Sequence, residues 1–404
     1  MRVVIVGAGQ AGAALAAKLR SLGHADEIVM LGDEPQPPYQ RPPLSKAYLL
    51  GEMSEDRLWL RAPEFWAENG VDLRMGQPVT ALDPAGKTVA IGGQVLAYDH
   101  LALTTGSTPR SLPAAIGGAL PGVYTVRTLA DIDAMKPEFQ QGRRVIIVGG
   151  GYIGLEAAAV ASKLGLLVTV LEMAPRILQR VASPATSDHV RALHLAHGVT
   201  VLESTGLDRL VGDARVTGAT LTDGRTLPAD FVIVGVGITP NTALAEAAGL
   251  TIDNGIATDA MGRTSDRAIW AAGDCASFPW AGGRLRLESV GNAIDMAEAV
   301  AANILGADLP YVAQPWFWSD QFDLKLQIAG LNTGYDRTVT RQGAGDLDGT
   351  AASIWYYRGD TLLAVDAMND ARAYMVGKRL IEAGKSPAPD LVTSTPDLKA
   401  LLKA

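Results

Sequence analysis

The chain has 404 residues, of which 48% are apolar and 19% charged, enough for more than one hydrophobic core and too apolar for wholesale disorder. Its formal charge of −8 argues against sequence-independent binding to nucleic acid or acidic membranes. A single cysteine, Cys275, excludes an intrachain disulfide, a redox thiol pair and an all-cysteine metal site.

In chain order, a β-branched run over residues 2–6 predicts a strand. Gly7-Ala8-Gly9-Gln10-Ala11-Gly12 follows, then an alanine-rich helix ending near Gly23 and a strand over 27–31. Residues 98–110 read as an apolar strand closing on a Gly/Ser/Pro turn, the exit from a first domain. The pattern then repeats: a strand over 144–148, Gly149-Gly150-Gly151-Tyr152-Ile153-Gly154, an alanine-rich helix ending near Gly165, and a strand over 167–171. His194 and His197 sit near a helix end; without carboxylates at ligand spacing they are expected on a solvated face, and no metal site is expected. Residues 228–241 repeat the strand-and-turn exit, 269–274 give another, and a helix is predicted over 292–305. Beyond residue 311 the composition changes, with strands expected around 354–357 and a helix over 371–382.

These elements predict an α/β chain with two Rossmann-like dinucleotide-binding domains, the first interrupted by the second, and an α+β C-terminal domain. The boundaries fall at 1–110 with 238–310, 111–237, and 311–404. The opening strand lacks a charged leader, and no run approaches the ~18 apolar residues of a membrane span, so a cytoplasmic protein with no membrane partner is expected.

A lone GxGxxG is weak, but two copies, each between a strand and a helix, carry a specific physical meaning. Gly7 and Gly149 allow the tight turn, Gly9 and Gly151 let backbone approach a pyrophosphate, and Gly12 and Gly154 let helix pack on strand. An acid about 20 residues further on accepts hydrogen bonds from a ribose and repels a 2′-phosphate. Glu172 is that acid in the second copy, which predicts NADH over NADPH; in the first it is Asp33 or Glu34. Two dinucleotide sites in one chain imply one nicotinamide and one flavin.

Several longer segments carry a family resemblance. Tyr39-Gln40-Arg41-Pro42-Pro43-Leu44-Ser45-Lys46, Thr104-Thr105-Gly106-Ser107, Ile269-Trp270-Ala271-Ala272-Gly273-Asp274-Cys275, Arg286-Leu287-Glu288-Ser289-Val290-Gly291-Asn292-Ala293 and Pro315-Trp316-Phe317-Trp318-Ser319-Asp320-Gln321 are the carriers. Together they resemble the FAD-dependent ferredoxin reductases of bacterial oxygenase systems, of the putidaredoxin reductase type, within the glutathione-reductase-like flavoproteins. The resemblance covers essentially the whole chain. It implies non-covalent FAD held by Gly7, Gly9, Gly12, Asp33 or Glu34, Arg41, Pro42, Lys46, Thr105, Gly106, Asp274, Val290 through its backbone, and Trp318. It implies NADH on Gly149, Gly151, Tyr152, Ile153, Gly154, Glu156, Glu172 and Gly237. Lys46 and Glu156 are expected as a catalytic ion pair beside the reacting rings, the lysine stabilising negative charge as the flavin is reduced.

Relatives in the wider group use a redox cysteine. Here the corresponding loop reads Arg41-Pro42-Pro43-Leu44-Ser45-Lys46 and Cys275 lies elsewhere. Electrons must therefore leave the flavin directly, which suits a one-electron acceptor. The resemblance names a [2Fe-2S] ferredoxin supplying a cytochrome P-450-type or Rieske-type oxygenase. Two alternatives stay open: a reductase of another acceptor such as rubredoxin or a quinone, and a redox-sensing FAD/NADH-binding protein resembling apoptosis-inducing factor. Arg284, Arg286 and Arg61 are candidates for a basic docking patch on an acidic protein.

Overall fold

A computed structural model describes residues 1–343 and 351–403. The chain divides into two compact units. One comprises Met1–Arg41, Met53–Thr108 and Ile238–Gln314; the other comprises Pro42–Glu52, Pro109–Gly237 and Pro315–Ala404.

In the first unit, Val3–Val6 is apolar on both faces and takes the centre of a five-stranded parallel sheet. The order is Ile269–Ala271, His100–Leu103, Val3–Val6, Ile28–Leu31, Val71–Arg74. The pairing of Ile269–Ala271 with His100–Leu103 returns a late segment of the chain to the sheet that its first residues open. The helix Gln10–Ser21 buries Ala11, Ala13, Leu15, Ala16 and Leu19, and packs on the helix Val290–Ile304. The buried residues of that second helix include Ala293, Met296, Ala297, Val300 and Ala301, in the same apolar cluster. A three-stranded antiparallel sheet, Val79–Asp83, Thr88–Ile91 and Gln94–Ala97, is an addition that the sequence reading did not foresee.

The second unit repeats the plan. Its parallel sheet runs Thr200–Leu202, Leu167–Leu171, Arg144–Val148, Phe231–Val234, Val123–Thr125. Within the same unit lies a five-stranded antiparallel sheet in the order Trp316–Gln321, Leu324–Gly330, Thr361–Met368, Ala352–Arg358, Arg337–Gln342. The two-residue period of a strand sorts its side chains. Trp355, Tyr357, Val365 and Ala367 face Ala373, Val376 and Leu380 of the helix Ala371–Glu382. Ile354, Tyr356, Ala364 and Met368 pack on the other side with Leu155, Ile177 and Val190. The architecture is thus two Rossmann-like dinucleotide-binding domains and a C-terminal α+β domain.

One expectation is overturned here. His194 does not lie on a solvated face: it is fully buried, and its Nε2 lies 2.8 Å from Gln321 Oε1. Gln321, 127 residues further along the chain, and Phe322 beside it meet the His194 ring, a long-range contact that the sequence around the histidine does not announce. His197 is the exposed member of the pair, stacked on Phe322 with centroids 3.8 Å apart.

Candidate active site

Both glycine turns sit where the strand order reverses on either side of a central strand, the position at which open α/β sheets bind ligands. Gly7 has φ +113° and Gly149 φ +110°, in the left-handed half of backbone space. A Cβ on Gly7 would fall 2.2 Å from Thr104 O, and one on Gly149 would fall 2.3 Å from Gly235 O. Side chains on Gly12 and Gly154 would lie 2.0 and 2.2 Å from the carbonyl oxygens of Gly7 and Gly149. The protein's own backbone therefore demands all four.

Gly9 and Gly151 are different. Their φ values of −93° and −83° are open to any residue, and a Cβ at either would meet nothing within 4 Å among the described residues. The helices that follow also start with no side-chain cap and no acid in the first turn. By contrast, Thr128, Ser183, Ser289 and Asp370 each cap the helix they precede. Bare amides at a helix start beside open space suit an anionic group such as a pyrophosphate. The residues present fit a dinucleotide in each unit.

In the first unit, Glu34 and not Asp33 is the structured acid. Its carboxylate accepts from Tyr39 Oη at 2.5 Å and pairs with Arg41 Nη2 at 2.5 Å, while Asp33 is exposed. Thr105 Oγ1 donates to Asn241 O at 2.7 Å, and Asn241 Nδ2 returns a bond to Thr105 O at 2.8 Å, pinning the turn at Gly106. Ser107 Oγ donates to Asp274 Oδ2 at 2.8 Å. Cys275 is fully buried, and burial pushes its thiol up, away from the thiolate that redox chemistry needs. Val290 opens its helix one residue after the Ser289 cap. Of the candidate arginines for a basic patch, Arg284 and Arg286 are both engaged within this unit. Arg284 donates to the backbone carbonyls of Thr258 and Ser277, and the Arg286 side chain is 10% exposed and bridged to Glu288 at 2.7 Å. Arg61 lies over the Phe65 ring.

The second unit holds the remaining residues. Pro42 leads into the turn Leu44–Tyr48, where Lys46 departs from helical geometry with φ −128° and ψ −110°. Its Nζ lies 3.0 Å from Glu156 Oε1 and 3.5 Å from Asp320 Oδ2. The pair is sheltered, the two side chains being 17% and 9% exposed. Burial pushes the Glu156 carboxyl up and Asp320 adds to that push, against Lys46 and a hydrogen bond from Ser319 Oγ at 2.7 Å. Trp318 is half-buried and stacked on Trp316, ring centroids 5.5 Å apart at 21°.

Among the residues expected to hold NADH, Tyr152 turns its ring inward onto Phe317, 5.0 Å away, whereas Ile153 faces out at 43% exposure. Glu172 is fixed by the turn it serves: Oε2 accepts from Gly150 N at 2.9 Å and Oε1 from Ala174 N at 2.7 Å. Gly237 has φ +101°, and its carbonyl accepts from Arg110 N at 2.9 Å. Sequence reasoning did not single out Asn241, Gln321 or His194 as parts of the site. The available signal for Gln321 was its place two residues after Ser319, which puts both polar side chains on one face of the strand.

Among the described residues no helix is long and apolar enough to cross a membrane, and no cluster of His, Cys, Asp and Glu could hold a metal ion. The chain belongs to the pyridine nucleotide-disulphide oxidoreductase family, whose profile matches residues 1–297, and a reductase C-terminal profile matches residues 316–402. Within that family it is of the putidaredoxin reductase type, the FAD-dependent NADH:ferredoxin reductases. It is 40% identical to rhodocoxin reductase of Rhodococcus erythropolis over 99% of this chain and 94% of that protein. It is 43% identical to a ferredoxin–NAD(P)(+) reductase of a Sphingomonas species, over 94% of this chain and 92% of the other. Among solved structures, the covalent putidaredoxin reductase–putidaredoxin complex superimposes with a TM-score of 0.95 at 39% identity, covering 100% of this chain and 98% of that one.

Proposed function

We propose that this protein is a FAD-dependent reductase that takes hydride from NADH and passes electrons singly to a [2Fe-2S] ferredoxin, which supplies a P-450-type or Rieske-type oxygenase. The carrying observation is the sheltered Lys46–Glu156 pair in a chain whose one cysteine is buried and inert. When bound, FAD supplies a two-electron acceptor that can release electrons one at a time.

This chain's residues then have distinct tasks. In the first unit Gly7, Gly9 and Gly12 cradle the pyrophosphate, Glu34 takes the ribose, and Asp274 and the Val290 amide hold the rest of the flavin cofactor. In the second, Gly149, Gly151 and Gly154 receive the NADH pyrophosphate. Glu172, already aimed by two backbone amides, supports NADH over NADPH because a 2′-phosphate would meet its charge. Lys46 presents its ammonium to charge that develops on reduction, and Glu156 fixes where that ammonium sits. The names of the relatives, reductases of rhodocoxin and of ferredoxin, support an iron–sulfur protein as the acceptor.

The test is anaerobic stopped-flow. A yellow preparation should bleach with NADH far faster than with NADPH, and the reduced protein should then reduce a [2Fe-2S] ferredoxin. A preparation that stays colourless after incubation with FAD, or a reduced one that ferredoxin cannot reoxidise, refutes the assignment.

A further inference from the structure

Behind the ion pair lies a buried polar chain that the proposed reaction does not itself use. Ser319, Gln321 and His194 are all at most 1% exposed, which is costly for three polar groups unless each is satisfied. Ser319 Oγ lies 2.7 Å from Glu156 Oε1, Gln321 Nε2 lies 3.0 Å from Ser319 Oγ, and Gln321 Oε1 lies 2.8 Å from His194 Nε2.

We propose that Ser319, Gln321 and His194 are positioning residues that hold the Glu156 carboxylate ionised and turned to Lys46, through a hydrogen-bond chain in which every donor points towards Glu156. This rests on the reading of Lys46 and Glu156 as the pair beside the reacting rings.

The direction of the chain follows from donor and acceptor chemistry alone. An ionised carboxylate can only accept, so the single proton of Ser319 is committed to Glu156. The serine oxygen must then accept, which turns the NH2 of Gln321 towards it and the amide oxygen towards His194. A carbonyl oxygen can only accept, so His194 carries its proton on Nε2 and leaves Nδ1 bare. Among the described residues His194 Nδ1 has no partner, as a bare lone pair tolerates better than a buried N–H. Burial holds this imidazole neutral by pushing its pKa down. A chain that donates in this direction delivers its hydrogen bond to Glu156 Oε1, where an ionised carboxylate accepts it more strongly than a neutral carboxyl would, so the chain favours the charged form.

Lys46 alone is a divided counter-ion for Glu156. Asp320 on the next strand position also reaches its Nζ and adds negative charge beside the buried carboxylate. On the far side, His197 packs on Phe322, whose ring edge meets His194 at 5.2 Å. Lys46, Asp320, His194 and His197 are thus the titratable groups that face the chain, with Ser319 and Gln321 between them.

The first readout needs no variant. Nitrogen-15 NMR of histidine-labelled, FAD-loaded protein should show His194 as the neutral Nε2–H tautomer through the neutral pH range; an Nδ1–H tautomer overturns the proposal. The second is the pH profile of flavin reduction by NADH. Ser319→Ala should move its acidic midpoint up by about one pH unit, the worth of one hydrogen bond to a charged group. Gln321→Leu should move it less and in the same direction, and Ser319→Thr should return it towards the original. An unmoved midpoint in folded Ser319→Ala overturns the proposal. A Lys46→Met protein that is reduced at the unaltered rate would instead refute the underlying reading, leaving the tautomer result to decide the chain by itself.

Discussion

Gly151→Ala separates a glycine that the fold requires from one that a ligand requires. Gly151 has φ −83° and ψ 176°, and an added Cβ meets nothing within 4 Å among the described residues. Two small terms act on stability. Alanine lowers the entropy of the unfolded chain, worth about 0.4–1 kcal/mol, and is a poorer helix N-cap by a similar amount. They nearly cancel, so the melting temperature should hardly move. A dinucleotide pyrophosphate running over the turn would collide with the new methyl. An extra methyl in a close-packed contact costs about 1–3 kcal/mol, or roughly 5- to 150-fold in affinity. Calorimetric titration of the FAD-loaded protein with NAD+ measures this, with FAD content and melting temperature as controls. Gly154→Ala is the contrasting case. Its Cβ would lie 2.2 Å from Gly149 O, so the helix must back away and stability must fall together with binding. A Gly151→Ala protein with unaltered stability and unaltered NAD+ affinity refutes the cradle.

Further outcomes follow from the same geometry. Lys46→Met should retain FAD, judged by its visible absorbance, and slow flavin reduction by NADH about 100- to 1000-fold, as loss of one preorganised charge at a developing anion does. Glu172→Ser removes the charge that faces a ribose and leaves the amides of Gly150 and Ala174 unpaired; the ratio of NADPH to NADH efficiency should rise at least about tenfold, a 1.4 kcal/mol change. Asp366 is fully buried, accepts from Thr186 Oγ1 at 2.8 Å and from Tyr356 Oη, and burial pushes its carboxyl from 3.8 to about 6. Because the folded state holds this proton more tightly than the unfolded chain does, stability is full below the unfolded value and falls as pH rises to the folded one. The loss should amount to about 3 kcal/mol in chemical denaturation. Asp366→Asn should lack this component of the pH dependence, and an equal pH slope in both proteins would refute the assignment.

Much of the fold was legible because it is written in local terms. Short, β-branched apolar runs bounded by glycine turns, such as Val3–Val6 and Phe231–Val234, read as strands buried on both faces, and the turn after the first of them carries glycines where side chains would strike backbone oxygens. The helix Ala371–Glu382 matches its predicted span because Asp370 caps its start and its apolar stripe has helical period. The antiparallel sheet built from Val79–Asp83, Thr88–Ile91 and Gln94–Ala97 was missed, its strands being only four or five residues long and the outer two largely exposed.

What the amino-acid order determined unaided is therefore the pair of strand–turn–helix units, the family they belong to, and the absence of a dithiol. Each is a matter of residue type and short spacing. Tertiary structure decided the rest. It brought Tyr39 and Arg41 to Glu34 while leaving the neighbouring Asp33 exposed, and it drew His194 out of an apparently solvated helix to meet Gln321. It also set Lys46, Glu156 and Ser319 within 3.0 Å contacts from three distant parts of the chain. The charge state of a buried carboxylate depends on every group that faces it, and which groups those are is fixed only when distant strands and helices pack.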